Sequence, residues 1–204
     1  MSDQLFWFTA RAGGIVGWAL LSASVLWGLC LSTRVLGKLA KRPWLLDLHR
    51  YLGGLAVVFT GVHVTSIVLD SYVHFGLVEV LVPFASSWKP LPVAWGIVSL
   101  YLLLAVELTS LARNRLSKQV WHAVHLASLP LFAFSTIHLL TAGTDASSPP
   151  LRWSALLVSA AVLGLLTMRL YGASNQQATP RRTPVRVPES ALPTERPLHA
   201  QATR

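Results

Sequence analysis

Apolar residues in this chain come in long unbroken blocks, not in the alternation of half-buried elements. Twenty-two residues without Lys, Arg, Asp or Glu separate Arg11 from Arg34, 19 separate Arg50 from Asp70, and 26 separate Lys118 from Asp145. From Pro90 to Ala112, Glu107 is the one charge in 23 residues, and a block of 16 lies between Arg152 and Arg169. A helix crosses the apolar layer of a bilayer in roughly 20 residues, and long arginine side chains at both ends of the shortest block can snorkel to the surfaces. Five spans are predicted, over about residues 13–34, 43–70, 93–112, 117–142 and 151–171. Pro43 suits the first turn of the second span, where its missing N–H costs nothing. Between spans two and three, Phe75, Leu77, Val80 and Phe84 predict a segment lying along the surface or over the bundle. A soluble helical bundle is excluded, because five such blocks leave almost no polar face for water.

Composition sharpens this into an all-α integral membrane fold, a bundle of about five transmembrane helices. The chain is 53% hydrophobic and 12% charged, against roughly a quarter charged in soluble domains. Its net charge of +9 does not point to nucleic acid, because the placement follows the spans. Of 17 Lys and Arg, 14 fall on one side: Arg34, Lys38, Lys41, Arg42 and Arg50, then Arg113, Arg115 and Lys118, then six from Arg169 onward. Only Arg11, Lys89 and Arg152 remain for the other. By the positive-inside rule the N-terminus faces out and the C-terminus is cytoplasmic, as in a multi-pass protein of the cell inner or plasma membrane. Trp44 and Trp121 mark inner edges, and Trp88, Trp95 and Trp153 outer ones. The expected organisation is a short outer segment over 1–12, a transmembrane bundle over 13–172, and a disordered, basic, proline-rich cytoplasmic tail over 173–204. The start, with Asp3 and a span-length apolar run, does not read as a signal peptide. No internal repeat is evident. The single cysteine, Cys30, excludes an internal disulfide, a Cys-x-x-Cys-His attachment and a self-contained iron–sulfur site.

Histidine is the informative residue. Intramembrane histidines are costly and carry a partner or a function, and two spans hold most of them: His49 and His63 in the second, His122, His125 and His138 in the fourth. His49 and His63 are 14 residues apart, about 21 Å along a helix and only about 40° apart around it. Gly53, Ala56 and Thr60 continue the same face, a small-residue stripe that leaves room for a flat macrocycle or for close helix packing. His125 and His138 are 13 apart. One span intervenes, so spans two and four run parallel and their histidines match in depth. Two facing pairs at two depths is what two stacked bis-histidine haems require. Thirteen residues of regular helix leave His125 and His138 about 140° short of facing alike, and Pro130 between them supplies a kink that changes the winding. His122 matches the depth of His49 equally well, so spacing leaves both open.

The segments DLHRYLGGLAVVFTGVHVTSIVLD and WHAVHLASLPLFAFSTIHLLTAGTD resemble the ferric reductase-like transmembrane domain superfamily, over roughly residues 45–145. The superfamily includes the membrane parts of NADPH oxidases and ferric reductases and the haem-binding partner of a methionine-sulfoxide reductase. The resemblance implies a cytochrome b with two b haems, His49 and His125 holding the inner and His63 and His138 the outer. It favours His125 because a ligand four residues after a tryptophan matches Trp121. Arg50, beside His49, is then a candidate for a haem propionate, or one more positive-inside charge. NADPH oxidases carry flavin and nicotinamide domains in the same chain. This sequence has no Gly-x-Gly-x-x-Gly and no length for a dinucleotide fold, so any flavin is expected on a separate partner. The methionine-sulfoxide reductase partner lacks a counterpart of His49, which sets this chain nearer a two-haem relay.

The function expected is the membrane electron-transfer subunit of an oxidoreductase. A flavoprotein or quinone donates on the cytoplasmic side, and ferric iron, oxygen or a protein accepts outside. The competing function is a haem-free transporter or channel subunit using the histidines for protons or metal ions. Glu107 is expected to pair with a cytoplasmic Arg or Lys rather than to relay a proton. Asp70 and Asp145 are expected to be solvated at the outer edge, with His74 nearby.

Overall fold

The computed structural model describes residues 2–33, 35–37, 43–70 and 75–178. Arg34, Lys38, Lys41 and Arg42 of the inner cluster, His74, and residues 179–204 of the basic tail lie outside the described residues. Every regular element among those described is helical: α1 (Ser2–Thr33), α2 (Pro43–Leu69), α3 (Leu77–Leu81), α4 (Pro90–Leu111), α5 (Lys118–Leu126), α6 (Ser128–Ala142) and α7 (Pro149–Ala178). Five helical stretches are long and apolar enough to cross a membrane, with α5 and α6 together forming the fourth. The chain is a multi-pass membrane protein with the five predicted spans.

Local chemistry sets the boundaries. Pro43, Pro90 and Pro149 each open a helix, the position where proline's fixed φ and lost donor do no harm. The Ser117 hydroxyl caps α5 by accepting from Val120 N–H at 3.3 Å. The outer segment between spans two and three forms one short helix, α3. Its carbonyl at Leu81 accepts from the Tyr101 hydroxyl of α4, so it lies over the bundle. Two helices outrun their expected spans. α1 begins at Ser2, because Arg11 is neutralised where it stands: its Nε donates to Asp145 Oδ2 at 2.9 Å, and its Nη2 bonds the other carboxylate oxygen. α7 continues past residue 172 to Ala178.

α1 organises the bundle. It packs most extensively on α2 and also touches α6 and α7, while α4 packs chiefly on α6. Ala56 of α2 and Leu131 of α6 meet Leu21, Val25 and Leu29 of α1 in the central apolar cluster. Lipid cannot drive that contact as water would, so it rests on close fit and interhelical hydrogen bonds. One such bond runs from Trp18 Nε1 of α1 to Thr136 Oγ1 of α6 at 3.0 Å, fully buried. Thr136→Val keeps the shape and strands the indole N–H. A loss of about 0.6 kcal/mol is expected, the average for such bonds in membranes, readable as earlier unfolding in detergent–denaturant titration.

Candidate functional site

Four histidines from α2, α5 and α6 meet in two pairs. The rings of His49 and His125 have centroids 6.0 Å apart at 75°, and those of His63 and His138 are 6.3 Å apart at 76°. Regular winding would not have brought His125 and His138 to the same side, and the fourth span departs from it where the sequence requires. Pro130 has no N–H for the Leu126 carbonyl, and its ring crowds that carbonyl. The helix breaks just upstream, at Ala127, whose N–H bonds Val124 O at 3.0 Å, three residues back. A 3-10 turn rises about 2.0 Å per residue instead of 1.5 Å and turns each by about 120° instead of 100°. About three such residues bring the 13-residue interval to about the 21 Å of a 14-residue one and recover about 60° of the missing rotation.

Each histidine is anchored from behind through Nδ1. His63 Nδ1–H donates to the Ala10 carbonyl at 2.7 Å, His49 to the Ser24 carbonyl at 3.0 Å, and His138 to the Pro92 carbonyl at 2.8 Å. Carbonyls only accept, so these contacts put the proton on Nδ1 and leave Nε2 with its lone pair. His125 Nδ1 lies 3.5 Å from the Ser110 hydroxyl, which itself donates to Val106 O at 2.7 Å and so offers lone pairs to the imidazole. No hydrogen bond to any of the four Nε2 atoms occurs among the described residues. α1 therefore backs the histidines of α2, and α4 backs those of α5 and α6.

Glycines make room for these rings. An added Cβ would fall 2.9 Å from His63 Nδ1 at Gly14, 3.1 Å from His49 Cε1 at Gly28, and 2.6 Å from His138 Cε1 at Gly96. Each glycine stands four residues after the carbonyl that holds its histidine: Ala10 and Gly14, Ser24 and Gly28, Pro92 and Gly96. A helical side chain leans back over the preceding turn, where it would cover that carbonyl, so glycine leaves the oxygen open to a second donor. None of these supporting residues is singled out by the histidine pattern. Their one trace in the sequence is a repeat: Gly14 and Gly28 are 14 apart, as are Gly96 and Ser110, matching His49 and His63. The repeat is one of small residues on the supporting helices, so it escapes a search for similar segments.

The space is suited to a flat metal macrocycle. An imidazole nitrogen binds a metal at about 2 Å and lies about 1 Å from its own ring centre, so two imidazoles on opposite sides of one iron have centres about 6 Å apart. Both pairs match that separation. A cavity of about 750 Å³ surrounds His63 and His138, walled by Gly14, Trp18, Gly96 and Leu103, an apolar enclosure with imidazoles facing each other across it.

The other candidates fall as follows. His122 is exposed and lines a separate hollow with Arg113, Lys118 and Trp121. His125, by contrast, stacks on Trp121 at 5.0 Å, with the Arg113 guanidinium 4.8 Å from the opposite partner's ring centre, that of Trp121. Arg50 is exposed and 3.5 Å from Asp47. Glu107 makes no ion pair among the described residues. It turns inward to Gly53, whose added Cβ would lie 3.2 Å from Oε2, and Arg113 beyond the helix end is engaged with Trp121. The small-residue stripe of α2 serves largely for packing: Ala56 is wholly buried and Thr60 meets Gly17 of α1. Asp145 is paired with Arg11 rather than solvated, and Asp70 is 7% exposed with Oδ1 unpartnered at the cavity wall. A family model described as ferric reductase like transmembrane component matches residues 13–136. Comparison with curated proteins and with solved structures returned no match.

Proposed function

The chain belongs to the ferric reductase-like transmembrane family, membrane domains of electron transfer, and from that premise we propose that it is a cytochrome b with two bis-histidine haems. His49 with His125 would hold one haem and His63 with His138 the other, carrying electrons from a cytoplasmic-side donor to an acceptor on the outer face. The single observation that carries this is the doubled pair: two facing imidazole pairs at matched depth, three of the four rings tied at Nδ1 to a backbone carbonyl. A ligand fixed in this way presents Nε2 in a set direction and is a stronger donor to the metal. Bound haem supplies one-electron exchange at its iron.

The protein's own part is placement and enclosure. α1 and α4 hold the imidazoles in their rotamers, so little reorganisation accompanies a change of charge at the site. Trp18, Leu103 and Leu131 keep the space around the outer pair apolar, which with the ligand set determines the potential. The 14 residues from His49 to His63 span about 21 Å of helix, so two stations divide the membrane into shorter steps. The membrane in question is the cell inner or plasma membrane, with the C-terminus cytoplasmic. A flavoprotein or quinone supplies the electrons. Arg50 remains at the inner end as a cation for a propionate.

A reduced-minus-oxidised spectrum of the purified chain, with haem counted per polypeptide, tests this reading. Two haems per chain and b-type bands are expected. A colourless protein from cells supplied with ample haem would overturn it in favour of a histidine-based proton or metal-ion pathway.

A further inference from the structure

Three of the four histidine anchors follow one rule, a helix carbonyl left open by a glycine four residues later. The fourth departs from it. On α4 the positions 14 residues beyond Pro92 and Gly96 are Val106 and Ser110, so His125 should by the same rule find the Val106 carbonyl. Ser110 stands where the glycine would be. Its hydroxyl donates to Val106 O at 2.7 Å and covers that oxygen. His125 Nδ1 instead meets the hydroxyl, at 3.5 Å, against 2.7 to 3.0 Å at the three carbonyls. A contact at 3.5 Å is close to the limit of a hydrogen bond.

We propose that Ser110 is a positioning residue that gives the His49–His125 pair one weakly anchored ligand, and so sets the inner site at a higher potential than a full set of carbonyl anchors would. The inference rests on the haem reading above. A strong Nδ1–H···O bond raises the donor strength of Nε2, which favours the more positive, oxidised metal. Weakening that bond favours the reduced form. The hydroxyl relays the anchor instead of supplying it, because its own proton is committed to Val106. The consequence is confined to one of two otherwise equivalent sites, since Gly14, Gly28 and Gly96 leave the other three carbonyls free.

The test uses two substitutions of opposite sign on the full chain. Ser110→Gly uncovers the Val106 carbonyl and should lower the potential of the inner haem. Ser110→Ala removes the hydroxyl while its methyl still shields the carbonyl, and should raise that potential. Optical redox titration reads both, and a His63→Ala background, holding the inner haem alone, identifies which wave has moved. The order Gly below Ser below Ala, with the outer wave fixed, supports the proposal. Two haems retained with neither wave shifted, or both substitutions shifting the inner wave the same way, overturns it, since a merely structural serine gives no opposed pair. A wild-type chain without haem is a different failure and falls on the functional reading instead.

Discussion

His63→Ala is expected to leave one haem per chain, and the His49→Ala/His63→Ala double variant none. Each proposed site has two ligands from different helices, and α2 supplies one to each. Losing His63 removes one iron bond and leaves the cavity that His138 faces open on the other side, while the His49–His125 pair keeps both its rings and both anchors. The single variant should therefore lose about half the b-band absorbance and one of two redox waves. His125→Ala should do the same at the other wave. His122→Ala should retain both haems, because that ring is exposed and lines another hollow. Haem loss in the His122 variant with full retention in the His125 variant would reassign the ligand.

Nearly as large an effect is expected from one methyl group. Gly96→Ala puts a carbon 2.6 Å from His138 Cε1, 2.7 Å from Nδ1 and 3.0 Å from Nε2, so no part of the ring facing α4 stays clear. The imidazole must move as a body and lose its bond to the Pro92 carbonyl. We expect the outer haem to be lost or to fall below half occupancy, with the inner one intact. Gly28→Ala is the graded comparison, since the closest approach there is 3.1 Å, to His49 Cε1 alone, and a partial loss should result. Gly164→Ala meets nothing within 4 Å and is the control for adding a methyl to a span. Equal haem content in the Gly96 and Gly164 variants would show that the His138 ring does not need that glycine.

The spans were legible because bilayer thickness dictates block length, and charge-free runs reach that length five times. The histidine face of α2 was legible for the same kind of reason: 14 residues nearly complete four turns. On the fourth span the sequence showed a discrepancy of rotation and a proline to account for it. The break falls at Ala127, not at Pro130, because proline disturbs the turn before it. The anchors were not legible. Ala10, Ser24 and Pro92 act through backbone carbonyls, which every residue possesses, and only the glycine four places on hints at them. Glu107, Asp70 and Asp145 were misjudged for a related reason. One-dimensional position places a charge near a membrane edge but does not say whether the neighbouring helix brings a cation, as Arg11 does for Asp145, or a glycine, as Gly53 does for Glu107.

The clasp between Arg11 and Asp145 has a consequence for biosynthesis. The two residues are 134 positions apart, with Arg11 near the start of the first span and Asp145 just after the fourth. As the chain leaves the ribosome, α1 and α2 can pair as a hairpin as soon as both are made, with the His49 and His63 anchors already formed. Arg11 has no carboxylate to meet until α6 has been synthesised. The first hairpin thus waits with an uncompensated guanidinium at its outer end, free to hydrate there, and the late arrival of Asp145 closes the ring of helices only once the second pair of histidines is in place.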